Sequence, residues 1–367
     1  MKEKKSIFAN HAFQTVLAAL VAIVIGLFVG FLVLLLIHPK GAWNAIVTIL
    51  LNFLTWKQPL AMLKALGNTL VKMAPLLMCA LSVCFCYKVG LFNIGAAGQY
   101  EAGACLSLYA AIAWHLPWWA CLIMGGLAGA LLGCICGALK AFRNVNEVIS
   151  GIMLNWIGLY VVNMILGKVK DPASPYTLKL GQANPGAIIP GFGLPALFAK
   201  NRFVTIAIPL AVIIAVLIWV VLTKTKFGYE LVATGFNKEA ARYAGMKEKT
   251  NIIVTLAIGG ALAGMGAGFL FLSGFAEWST TQTSVPGMGF NGIAATFLGG
   301  LSPIGTIFSS FFIQQITDGG SLIDKAIYPS QISDMISAII VYLCGFVAFF
   351  RIIIDTKIVN RKGGKKA

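Results

Sequence analysis

The sequence predicts an all-α, polytopic integral membrane protein with about 8–10 transmembrane or half-membrane helices, and three observations carry that reading. Only 11% of the 367 residues are charged, 59% are hydrophobic, and mean hydropathy is +0.87. Soluble domains carry about 25% charged residues, so a chain this poor in charge must turn most of its exterior toward lipid. Second, apolar runs of about 20 residues recur, the length a helix needs to cross a hydrocarbon layer of about 30 Å. Backbone groups in lipid must satisfy one another, so these runs are helices. They are too long and too continuously apolar for the alternating strands of a barrel. Third, the Lys and Arg residues behind the net charge of +16 gather at run ends and in short loops. That is the pattern of the positive-inside rule, and no nucleic-acid partner is expected from it.

The elements follow in order. Residues 1–15, opening MKEKK, form a basic cytoplasmic segment. The apolar run Val16–Ile37 exceeds the roughly 7–15 residues of a signal-peptide core and no A-x-A site follows it, so it reads as a retained first helix. Further spans are expected at 67–87, 92–113, 118–139, 148–166, 203–222, 251–272 and 332–351. Two shorter pieces, 289–300 and 303–317, read as a re-entrant pair or two thin spans. The transmembrane domain is therefore 16–351. The tail 352–367 holds Lys357, Arg361, Lys362, Lys365 and Lys366, which together with the N-terminus places both ends in the cytoplasm.

Two loops stand out. The external loop 167–202 is rich in Pro and Gly and suits a docking surface for something outside. The cytoplasmic loop 223–250 contains Asn237, a good N-cap, Glu239 and Arg242 at pairing distance, and Gly245, a good helix stop. That spacing predicts a helix of about two turns lying along the membrane surface; a plain connecting loop is the alternative.

Glycine and cysteine report on packing. Gly125, Gly129, Gly133 and Gly137 recur every four residues, as do Gly260, Gly264 and Gly268. Each set lays a flat stripe along one helix face that lets backbones approach closely. The G-x-G-x-G at 264–268 is not a nucleotide loop, because no strand precedes it. The eight cysteines all lie in apolar segments. In each C-x-C pair the sulfurs point to nearly opposite helix faces, so the cysteines read as packing residues rather than metal ligands.

Enzymatic and ATP-hydrolysing readings find little support. No G-x-x-x-x-G-K-[ST] loop and no H-E-x-x-H occurs, and His11, His38 and His115 are far apart. A proton-coupled carrier is the stronger rival, since such carriers use intramembrane carboxylates. Here Glu101 is the one acid expected well inside a span.

Two segments break the helical pattern. One runs from Gly90 through Phe92, Asn93 and Gly95 to Gln99, the other from Gly287 through Phe290 and Asn291 to Ala295. Each passes from glycine through Phe-Asn into a small-residue helix start. Irregular backbone survives in a membrane only where protein or a cavity shelters it. Asn93, Gln99 and Asn291 are therefore candidates either to bond a hydroxylated solute or to cap helices.

LGNTLVKMAPLL at 66–77, LFNIGAAGQ at 91–99, NEVISGIMLNWI at 146–157, ATGFNKEAARYAGM at 233–246 and GMGFNGIAATFLGGLSPIG at 287–305 make the chain familiar. The sequence resembles the permease subunits of ATP-binding-cassette importers for nucleosides and simple sugars, relatives of the ribose-type and branched-chain amino-acid permeases. The resemblance covers roughly 65–350. It implies a multi-pass protein of the bacterial cytoplasmic membrane that pairs with a second homologous permease. It also implies a cytoplasmic ATPase that alone binds ATP and Mg, and an extracellular solute-binding protein or lipoprotein. Purine nucleosides lead as the solute, with simple sugars such as ribose next.

By the same resemblance Gly235, Phe236, Asn237, Glu239, Ala240, Arg242, Tyr243 and Gly245 form the element that docks in the ATPase. This chain itself needs no cofactor and no catalytic residue. Candidate lining for the solute path is Phe92, Asn93, Gln99, Glu101, Asn155, Trp156 and Asn291. Three positions depart from the common pattern. Ala97 stands where many relatives carry an acid, with Glu101 one turn later; Val232 replaces a frequent Arg; Gly151 replaces a hydroxyl residue.

Overall fold

The computed structural model describes residues 11–328 and, beyond them, positions 335, 338–339, 342–343, 346–347, 349–350 and 352–353. More than half of the expected span at 332–351, Cys344 and most of the two basic ends fall outside the described residues. The described elements are α1 (His11–Ile37), α2 (Pro39–Leu51), α3 (Pro59–Lys88), α4 (Ala96–Ile112), α5 (Trp118–Arg143), α6 (Glu147–Leu166), the single turns α7 (Leu180–Ala183) and α8 (Leu194–Leu197), α9 (Ala207–Lys224), α10 (Lys226–Phe236), α11 (Lys238–Tyr243), α12 (Glu248–Phe271), α13 (Gly287–Leu298) and α14 (Gly305–Ser321). Among the described residues six stretches are long and apolar enough to cross a membrane: Leu17–Ile37, Pro59–Lys88, Trp118–Arg143, Glu147–Val169, Ala207–Lys224 and Glu248–Phe271. Extended backbone among the described residues amounts to isolated bridges, Lys170 to Thr177 and Tyr176 to Ser279.

α3 is the axis of the bundle. Pro59 opens it at a position where a missing N–H costs nothing, and 30 residues carry it about 45 Å. It is buried on nearly every side from Met73 to Cys86, packed by α4, α9, α12, α13 and α14. On the far side of α12 lies α5, and there the two glycine stripes meet. Gly129 faces Gly260 and Gly264, and Gly137 faces Ile253. A Cβ added at Gly137 would stand 2.8 Å from the Ile253 Cα; one added at Gly129 would strike the Gly260 backbone. With no side chains between them the two helix backbones touch, the geometry that small-residue repeats permit.

The connections sort to two ends. At one end Asn201 donates through Nδ2 to the Lys64 carbonyl (3.1 Å), Asn184 donates to the Ala111 carbonyl (2.9 Å), and Ile189 N–H donates to the Leu272 carbonyl (2.9 Å). These bonds knit 167–206 and 272–286 into one cap over α3, α4 and α6. At the other end Lys140 pairs with Glu147 (2.8 Å) across the α5–α6 turn, and Asn251 donates to Thr234 Oγ1 (2.8 Å), tying α10 to α12.

Several sequence expectations need revision. The span placed at 92–113 begins only at Ala96, because residues 89–95 stay irregular. α3 starts at Pro59 rather than near 67, and it runs straight through Pro75. α2 and α10 are helices that hydropathy did not flag. Asn237 caps α11 by accepting from Ala240 N–H (3.0 Å), and Gly245 takes the left-handed conformation (φ +80°) that ends it. Glu239 and Arg242 form no ion pair; the pair in this loop is Lys226 with Glu230 (3.8 Å). Glu101 is also not the only buried acid. Asp318, in the last turn of α14, pairs with Lys72 of α3 at 2.9 Å.

Candidate translocation site and coupling surface

The irregular segment 89–95 is held by side-chain amides. α3 stops at Lys88, Gly90 turns the chain with φ +75°, and α4 restarts at Ala96. Asn93 Nδ2 donates to Gln99 Oε1 (2.8 Å) and Gln99 Nε2 donates back to Asn93 Oδ1 (3.1 Å), while Asn93 Nδ2 also reaches Ser82 Oγ (2.9 Å). From α6, Asn155 completes the lock: its Oδ1 accepts from Gly98 N–H (2.8 Å) and its Nδ2 donates to the Ile94 carbonyl (3.1 Å). Broken backbone leaves donors and acceptors without helical partners, and burial makes each one costly unless it is paired. These amides do that pairing. Gly151 lets α6 approach closely enough, since a Cβ there would lie 2.9 Å from Gly95 N.

Asn93, Gln99 and Asn155 are all buried, so the structure brings them together. Glu101 lies in the second turn of α4 and is completely buried (0% exposed). Neither of its carboxyl oxygens has a hydrogen-bond partner among the described residues. It faces α6, where a Cβ on Gly158 would lie 3.3 Å from its Oε2. Ala97, one turn earlier, lies instead against Gly289 of α13. Glu101 and Ala97 therefore look onto different helices, α6 and α13.

The remaining candidates are not part of this cluster. Trp156 is half exposed, on the outward face of α6 with Met153, Tyr160 and Met164. Phe92 is partly buried; Asn291 is partly buried in the first turns of α13, beside the exposed Phe290. Sequence reasoning missed Ser82, Lys72 and Asp318. Opposite charges in two separate apolar segments were the available signal for the last two.

The other candidate surface is α10–α11. Phe236 is 94% and Tyr243 91% exposed, two large aromatic side chains standing free at one end of the bundle. Beneath them Gly235 presses on the irregular segment: a Cβ on Gly90 would lie 2.8 Å from the Gly235 carbonyl oxygen, and one on Gly235 would strike the Val89 carbonyl. The exposed element and the amide lock thus touch backbone to backbone.

Residues 65–345 match the family described as the branched-chain amino acid transport system / permease component. The chain belongs to this permease family. The permease is 31% identical to the guanosine ABC transporter permease protein NupP of Bacillus subtilis (strain 168), with 89% of this chain and 91% of NupP covered. It is 31% identical to the nucleoside ABC transporter permease protein NupB of Lactococcus lactis subsp. cremoris (strain MG1363), covering 91% of each. A second Bacillus subtilis protein, the guanosine ABC transporter permease protein NupQ, is 29% identical over 70% of this permease and 82% of its own length. No solved structure matches the permease.

Proposed function

We propose that this permease is one of two related membrane subunits of an ATP-driven nucleoside importer, with purine nucleosides the favoured solutes. The observation that carries the reading is the near full-length similarity to two permeases named for guanosine and nucleosides. That NupP and NupQ occur in one organism supports a paired, non-identical partner.

In this reading the α10–α11 end is cytoplasmic and the cap of 167–206 and 272–286 faces outward, with both termini inside. A separate ATPase binds ATP and Mg and grips Phe236 and Tyr243, while an external binding protein or lipoprotein docks on the cap. When the ATPase moves α11, Gly235 pushes the Val89–Gly90 backbone. The amide lock around Asn93 then shifts, and α4 moves against α6 where Glu101 is buried. Such alternating access changes no covalent bond in the solute; binding energy and ATP turnover only bias which side is open.

The test is uptake of labelled guanosine by host cells with and without the gene. Uptake that is lost on deletion, regained with the wild-type gene and not regained with a scrambled 235–245 loop supports both assignments. Unchanged uptake in a strain without a redundant system rejects the solute class.

A further inference from the structure

A cavity of about 560 Å³ opens in the cap between residues 177–182, 202–203 and 271–277. It lies within the range of pockets that hold small organic ligands, about 300–1,000 Å³. Its walls are built rather than loose. Thr177 N–H donates to the Trp278 carbonyl (2.9 Å) and Trp278 N–H to Thr177 Oγ1 (3.2 Å). The Trp278 indole N–H is anchored on Asn163 of α6 (2.9 Å), and Ser273 Oγ donates to the Leu270 carbonyl (2.6 Å). Aromatic side chains line the space: Phe203 and Phe275 stand edge to face with ring centroids 5.3 Å apart, the Arg202 guanidinium lies over the Phe203 ring (4.8 Å), the Lys72 ammonium over the Phe275 ring (5.5 Å), and Phe271 also lines the cavity. Charge sits at the rim. Arg202 and Glu277 both line the cavity, and neither has an ion-pair partner among the described residues.

We propose that this cavity is a nucleoside-receiving vestibule, in which the base packs against the edge-to-face pair Phe203 and Phe275, parallel to one ring and against the edge of the other, and the ribose hydroxyls donate to the Glu277 carboxylate. The assignment rests on the nucleoside reading above and adds a place and a recognition chemistry to it. A planar heterocycle gains most from an aromatic wall, because every base offers a π-face and stacking needs no sequence of donors and acceptors. A vicinal diol, in turn, supplies two O–H donors to a carboxylate that has no ion-pair partner among the described residues. The site stands apart from the amide lock around Asn93, so it would hold solute before the bundle opens.

The test uses the whole transporter in proteoliposomes, with both permeases, the ATPase and the binding protein. Phe275→Leu and Phe203→Leu should each raise the KM for guanosine uptake by about five- to fifty-fold, while Phe275→Tyr keeps it near wild type. Glu277→Gln should raise KM for guanosine more than for 2′,3′-dideoxyguanosine. A thiol placed at the rim by Gln182→Cys should react with a membrane-impermeant maleimide from outside, and guanosine should slow that reaction. Unchanged KM in both Phe→Leu variants, with no protection of the Gln182→Cys thiol, overturns the vestibule while leaving the nucleoside reading standing. Absence of guanosine uptake by the wild-type transporter overturns both.

Discussion

Asn93 and Gln99 hold each other through two opposed amide hydrogen bonds, 2.8 and 3.1 Å long, across the irregular start of α4. Both side chains are buried, so neither can exchange its partner for water. Asn93→Leu should therefore cost about 1–3 kcal/mol, most of it the penalty of leaving Gln99 unpaired. The double variant Asn93→Leu with Gln99→Leu should cost less than the two single changes added together. Thermal unfolding of the purified permease pair in detergent gives the four stabilities needed; strict additivity would show that the pair is not coupled.

Glu101 presents the opposite case, a buried carboxyl with no partner at either oxygen among the described residues. Replacing an unsatisfied buried polar group by an apolar one of similar shape removes its desolvation penalty. Glu101→Leu should thus stabilise the permease by about 1–3 kcal/mol and lower guanosine uptake at least tenfold. A stabilised variant with normal uptake would remove Glu101 from the solute path. A destabilised one would mean that it has partners after all.

On the coupling surface the expected split is the reverse. Phe236 and Tyr243 are almost wholly exposed, and substitutions at such positions usually stay within about 0.5 kcal/mol. Phe236→Ala with Tyr243→Ala should leave the melting temperature unchanged. Solute-stimulated ATP hydrolysis by the assembled transporter should fall at least tenfold. Pull-down of the ATPase by the variant permease distinguishes lost docking from lost signalling.

The α5–α12 seam predicts a sharp size dependence. At Gly129 even a methyl group meets the Gly260 backbone, whereas nothing lies within 4 Å of a Cβ on Gly167. Gly129→Leu should destabilise by at least about 3 kcal/mol, at the upper end of what overpacking costs, and should reduce membrane accumulation of the protein. Gly167→Ala should be neutral. Immunoblots of membrane fractions, with the two variants side by side, provide the comparison.

Much of the fold is legible in the sequence because hydropathy and helix length answer to one physical cause, the thickness of the hydrocarbon layer. The runs expected to end at Ile37, Leu166 and Leu222 could be placed for that reason, and their helices end at Ile37, Leu166 and Lys224. What stayed hidden depends on partners distant in sequence. Pro59–Leu66 lies outside the expected span at 67–87, yet it extends α3, and Asn201 bonds this stretch to the cap through the Lys64 carbonyl (3.1 Å) and the Asn68 amide (2.8 Å). α2 and α10 are too short or too polar to announce themselves by hydropathy, and tertiary contacts hold them in place. Asn93 and Asn155 are visible as polar residues in apolar surroundings. That Asn155 would spend both its donor and its acceptor on backbone some sixty residues away, at Ile94 and Gly98, is set by the approach of α6 to α4 and by no local pattern.

The contact between Gly90 and Gly235 carries a consequence for how this lineage can drift. Each glycine occupies the space that a side chain on the other would need, so the two positions form a single heritable character. A substitution at either one forces the loop carrying the other to be rebuilt, and the exposed α10–α11 surface that carries Phe236 and Tyr243 with it.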